Sequence, residues 1–166
     1  MNIIIHRGTH QIGGSAIEIS TKSTRIILDF GNELSLDEKY IPINLDIDGV
    51  TKGMLDCDGI VISHYHMDHL GQLTSALPEI PLYMGKLSKE VAMIATEHQD
   101  KDLYLRLLGA NTFRGGEAFT IGNIHIRPLV IDHSAVDSYM FVIEAEGKRV
   151  LYTGDFRMHG LRHHIL

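Results

Sequence analysis

Hydrophobic and polar positions alternate early in the chain and shift to helical spacing in its middle. Asn2–His6 is a brief apolar run turned over by GTHQIGG, and Ser15–Ser20 (SAIEIS) alternates as a half-buried strand does. The polar TKST leads into Arg25–Asp29 (RIILD), completing a meander. Residues 31–58 have no period and are rich in Asp, Asn and Gly, the composition of a long loop bordering a site. Gly59–Ser63 (GIVIS) is a short continuous apolar run, which predicts a fully buried strand.

Leu70–Leu77 predicts a short helix stopped by Pro78, and Pro81–Met84 a strand. From Lys86 to about Leu108 the apolar positions fall at helical spacing, with Gly109 as the C-cap and the polar EHQDKD as an interruption. Glu117–Gly122, Ile124–Ile131, Tyr139–Glu146 and Arg149–Tyr152 read as strands, with Gly147-Lys148 as a hairpin turn. Strands alternating with helices predict an α/β fold with a mixed sheet and flanking helices, and 166 residues fit one domain. The sheet is expected to carry helices on one face. Its other face, with the apolar side chains of RIILD and YMFVIEAE, is expected to be bare unless a homo-oligomer or a partner chain covers it.

Composition narrows the function classes. Hydrophobic residues make up 44% and charged residues 22%, which is ordinary for a globular protein. No apolar run is long enough to span a membrane, and the N-terminus turns polar too soon for a secretory signal. One cysteine, Cys57, rules out an internal disulfide, and a cytoplasmic location is expected. A net charge of −6 argues against a free-standing nucleic-acid clamp. The chain carries 11 histidines, an unusual number.

Those histidines concentrate in SHYHMDHLG, where His64, His66, Asp68 and His69 follow the buried strand directly. Sites form where loops leave the carboxyl ends of strands, held by a rigid sheet. His64 and His66 can converge on one ion, and Asp68 and His69, across the turn, on a second. Imidazole nitrogen with carboxylate oxygen suits Zn²⁺, Mn²⁺ or Fe²⁺. The competing reading is an incidental histidine-rich surface loop. His133 in VIDHSAVDS and Asp155 in YTGDFR stand just past two further strands. Alone, each is an ordinary loop residue; each gains weight because its strand end could lie beside the cluster's strand. Weaker features are Cys57 (a packed residue), Ser134 and Ser138 (hydroxyls that bond backbone), Gly13-Gly14 (a turn) and Arg157 (a phosphate contact or a surface ion pair).

The succession of Asp29 in LDFG, then HYHMDH, DHS and TGDFR, resembles the motifs of the metallo-β-lactamase superfamily. GTHQIGGSAIEI, LDIDGV and GDFRMHG are similar to the branch of the β-CASP nucleases and ribonuclease J-like hydrolases. The resemblance implies the first half of an αββα sandwich, with residues 1–166 as the N-terminal part of that domain and the second half and β-CASP domain absent. It implies that His64, His66 and His133 hold one divalent ion, that Asp68 and His69 hold another, and that Asp155 bridges them. Asp29 would orient a ligand histidine from behind. Two such ions, Zn²⁺ first and Mn²⁺ next, would share a hydroxide that attacks a phosphodiester of RNA or DNA; small esters, thioesters and lactones are alternatives. Asp68 and Asp155 are the catalytic carboxylates in this scheme. The family's last ligand histidine comes from the second half, and His159, His163 and His164 follow Asp155 too closely to replace it. A half-domain with little activity alone is therefore the other expectation.

Overall fold

The computed structural model describes residues 1–35 and 43–160. It has three layers: helices, a six-stranded mixed sheet and a four-stranded antiparallel sheet. The first sheet runs β1 (Asn2–Arg7), β2 (Ala16–Ser20), β3 (Arg25–Leu28), β4 (Gly59–Ile62), β5 (Leu82–Gly85) and β6 (Asn111–Phe113), in that spatial order. β1–β2–β3 form the expected antiparallel meander, whereas β3, β4, β5 and β6 lie parallel. The parallel strands therefore end along one common edge of the sheet.

Helices α1 (Met67–Leu70), α2 (Lys86–Thr96) and α3 (Lys101–Leu108) cover one face. The expected short helix after the buried strand begins earlier, at Met67, and continues as a 3-10 turn over Leu73–Ser75. The long helix breaks at EHQDKD as expected, and Asp100 starts α3 by accepting a bond from the Leu103 amide at 3.0 Å.

The expectation of a single sheet with a bare face is corrected. β7 (Phe119–Ile121), β8 (Ile124–Val130), β9 (Tyr139–Ala145) and β10 (Lys148–Tyr152) make a separate sheet. Its inward side chains Ile124, Ile126, Phe141 and Ile143 pack with Ile26, Leu28 and Val61 of the first sheet. Strand alternation divides the work: Ile27, Ile60 and Ile62 face the helices, and Ile26, Leu28 and Val61 face the second sheet. The faces expected to be bare cover each other. An opening lies between β1 and β10, a cavity of about 340 Å³ lined in part by Ile3, Ile5, Ile17 and Leu151.

The β9–β10 turn is Glu146-Gly147, both at positive φ (50° and 71°), one residue before the expected pair. β6 lay outside the expected strands.

Candidate metal centre

The site forms where the carboxyl ends of β3 and β4 meet the ends of β8 and β10. Backbone bonds fix the turn that carries most of it. The Phe30, Asn32 and Ser15 amides donate to the carbonyls of His69 (2.7 Å), Met67 (2.9 Å) and Asp68 (3.1 Å). Gly31 makes this approach possible, since a Cβ there would stand 1.7 Å from the Asp68 carbonyl oxygen. Gly13, at φ +76°, lies against the Asp68 side chain in the same way.

Three imidazole nitrogens converge in the space this turn encloses. His66 Nδ1 is 3.1 Å from His64 Nε2 and 3.2 Å from His133 Nε2. Tetrahedral ligands 2.0–2.1 Å from an ion stand about 3.3 Å from one another, so the spacing fits a shared ion. On the other side, His69 Nε2 is 3.4 Å from Asp155 Oδ1 and 3.6 Å from Asp68 Oδ2. Asp155 Oδ2 lies 3.8 Å from His133 Nε2, so one carboxylate faces both halves of the cluster. Two groups of three ligand atoms result: His64, His66 and His133, and His64, His69 and Asp155. His64 belongs to both, and Asp68 stands beside the second group through its contact with His69.

Asp29 organises this from behind. It is fully buried and sits at φ +55°, a backbone state that costs a non-glycine residue energy. It accepts bonds from the Ser63 amide (2.7 Å), the Ser63 hydroxyl (2.7 Å), His69 Nδ1–H (2.7 Å) and the Tyr152 hydroxyl. Because the Ser63 hydroxyl donates to Asp29, its lone pairs are left for His64 Nδ1–H at 3.0 Å. One carboxylate thus orients both rings, aiming the Nε2 atoms of His69 and His64 into the cluster.

Charge follows the same division. Burial, then neighbouring His69, push the His64 pKa down to about 3, so it is a neutral donor. Burial would also lower His69, but Asp29 and Asp155 outweigh it and raise it to about 10. The bond from His69 holds Asp155 at about 2. Burial alone would raise Asp29, yet His69 keeps it below the usual carboxylate range. Around His69 the protein therefore stabilises positive charge, which is the field a divalent cation needs.

All seven residues singled out from the sequence thus meet at one place. Ser63 and Tyr152 were missed. Ser63 adjoins the motif, and only its bonds distinguish it; Tyr152 ends a strand with nothing in its spacing to mark it. Cys57 is packed and its thiol is pushed up to about 11 by burial, and Ser138 bonds the Ala135 carbonyl, both as expected. The Arg157 side chain is exposed, and its amide donates to the Asp132 carbonyl at 2.9 Å. His159 is exposed, and His163 and His164 lie outside the described residues.

A family model described as a beta-lactamase superfamily domain matches residues 42–165. The chain belongs to the metallo-β-lactamase superfamily. Over 160 residues it is 25% identical to ribonuclease J of Helicobacter pylori, which covers 91% of this chain and 22% of that one. A solved structure of a protein of unknown function from Enterococcus faecalis V583 matches with a TM-score of 0.82 at 22% identity, over 98% of this chain and 45% of the other. The metallo-beta-lactamase fold protein YhfI of Bacillus subtilis matches with a TM-score of 0.61 at 18% identity, over 92% of this chain and 61% of that one. These likenesses carry the fold. The chain spans about a fifth of the length of the ribonuclease J it matches.

Proposed function

We propose that this chain is the metal-holding part of a dinuclear hydrolase acting on phosphodiester bonds of RNA or DNA. The observation that carries the reading is the pair of three-atom ligand groups sharing His64, with Asp155 facing both. His64, His66 and His133 would hold one ion; His69 and Asp155, with Asp68 beside them, would hold the other. Two divalent ions, Zn²⁺ or Mn²⁺, would supply a water of lowered pKa and neutralise charge on the attacked phosphate.

The chain's own groups do the rest. Asp29, through His69 and Ser63, holds two ligand nitrogens in aim. Asp68, half-buried with its Oδ2 3.6 Å from His69 Nε2, would accept a proton from the attacking water. The nucleic-acid assignment draws support from ribonuclease J among the relatives. The assembly expected from the sequence keeps a narrower basis, the apolar opening between β1 and β10, where a homo-oligomer or partner chain would cover Ile3, Ile5 and Leu151.

Elemental analysis after purification without added metal tests the reading, paired with hydrolysis of a generic phosphodiester. The unmodified chain should retain a transition ion. A His64→Ala, His66→Ala variant should lose it, and Asp155→Ala should lose an ion and nearly all turnover. Equal metal in the unmodified and doubly substituted proteins overturns the assignment.

A further inference from the structure

Two of the cluster's histidines are aimed through their rings, His64 by Ser63 and His69 by Asp29. His133 stands instead in the loop of residues 131–138 that joins β8 to β9, and the loop's own bonds place it. The Ile131 amide closes its neck by donating to the Ser138 carbonyl at 3.1 Å. Inside the loop, the Ser138 hydroxyl donates to the Ala135 carbonyl at 2.7 Å.

Four residues beyond His133, Asp137 reaches out of this loop to the helical layer. Its Oδ2 accepts from the Leu87 amide at 2.9 Å and the Ser88 amide at 3.0 Å, and its Oδ1 from the Tyr139 hydroxyl. Leu87 and Ser88 lie in the first turn of α2, where amides have no partner within the helix. The helix's own cap position is Gly85, which has no side chain to offer. Asp137 thus caps α2 from a loop of the second sheet. Gly85 also ends β5, the neighbour of β4, so the cap is fastened one strand from the turn that carries His64 and His66.

Two features mark this junction as built. Asp137 sits at φ +61°, a backbone state that is strained for most side chains and that Asp and Asn bear best. Gly85 leaves it room, since a Cβ there would stand 2.5 Å from Tyr139 Cε2 and 3.0 Å from Asp137 Cγ.

Building on the reading of His133 as a metal ligand, we propose that Asp137 is its positioning residue. Asp137 supplies no ligand atom to either group; it acts by pinning the far limb of the loop to α2. That pin fixes the backbone from which His133 meets His64 and His66. Without it the loop gains other conformations, and apparent affinity falls by the fraction of chains in the binding one.

The test is zinc affinity by competition with a chromophoric chelator, read beside the visible absorption of the cobalt-loaded chain. Asp137→Gly keeps the backbone state and removes the carboxylate. It should weaken zinc binding about tenfold and dim the cobalt bands. Asp137→Asn should stay within about twofold of the unmodified chain, because its amide oxygen can accept both α2 amides while the Tyr139 hydroxyl turns to accept from the NH₂. Gly85→Ala, which forces the pin off α2 with Asp137 intact, should repeat the loss. His133→Ala should itself lose affinity, and adding Asp137→Gly to it should change little, less than about twofold.

Unchanged zinc affinity in a folded Asp137→Gly chain would overturn the proposal; if that chain does not fold, Gly85→Ala decides in its place. An Asp137→Asn variant as weak as Asp137→Gly would also overturn it. So would an equal further loss in the His133→Ala background, which would make Asp137 a support of the fold at large. A His133→Ala chain that binds zinc as tightly as the unmodified one refutes the metal reading itself. A loss there with none in Asp137→Gly refutes the positioning role alone.

Discussion

Asp29 is the residue on which the most hydrogen bonds of the site converge, and its chemistry leaves little room for substitution. Four donors point at two oxygens that no water reaches. In Asp29→Asn one of those oxygens becomes an NH₂ group, which must face a donor whichever way the amide turns. The expected outcomes are a stability loss of about 2–4 kcal/mol by urea denaturation and a 10- to 100-fold loss of metal affinity against a competing chelator. An unchanged metal affinity with lowered stability would reduce Asp29 to a structural residue. The ligands themselves were legible in the sequence because four of them crowd into six positions behind a buried strand. Tyr152 was not, since its bond to Asp29 exists only once two sheets are stacked.

At the scale of the element, the antiparallel meander is tied by a charged group inside the sheet. Glu18 on β2 is 4% exposed and bonds Arg25 of β3 at 2.8 Å and His6 of β1 at 3.0 Å. Burial would raise its pKa, but Arg25 and His6 together bring it below the ordinary value. A carboxylate with a depressed folded-state pKa adds stability that is present above its unfolded pKa of about 4.3, and loses it as pH falls through the lower folded value. Glu18→Gln should therefore cost about 1–3 kcal/mol near neutrality. That difference from the unmodified chain should shrink as the pH is taken from about 6 to about 3. A gap that stays constant over that range would mean that packing, not charge, makes Glu18 matter. The strands of this meander and the break between α2 and α3 could be read from periodicity and capping. β6 could not: its three residues, NTF, offer no alternation to detect. Periodicity likewise told which side chains of RIILD and YMFVIEAE are buried but not that they bury one another, because alternation marks a face without naming what covers it.

For the whole molecule, the decisive fact is that the site belongs to neither sheet alone. His64, His66, Asp68 and His69 leave β4 of the first sheet, while His133 and Asp155 leave β8 and β10 of the second. The two sheets are also joined by an apolar core and by hydrogen bonds, among them Tyr152 to Asp29, the Tyr139 amide to the Ser63 carbonyl (3.1 Å) and the Asn123 amide to the Thr24 hydroxyl (3.1 Å). An ion held by His64, His66 and His133 would therefore act as a clasp between layers, and its binding energy becomes folding energy. With free metal at about 100 times Kd the gain is about 2.7 kcal/mol, less whatever affinity the unfolded histidines retain. For a chain of this size each kcal/mol moves Tm by about 2–4 °C, so thermal unfolding should shift upward by about 5–10 °C between chelator and metal. In a His133→Ala, Asp155→Ala variant the first sheet keeps its ligands but the clasp has no second side, and the shift should fall to a few degrees or less. If that variant gains as much from metal as the unmodified chain, the ion is held by the first sheet alone, and the sheets need no ion to stay together.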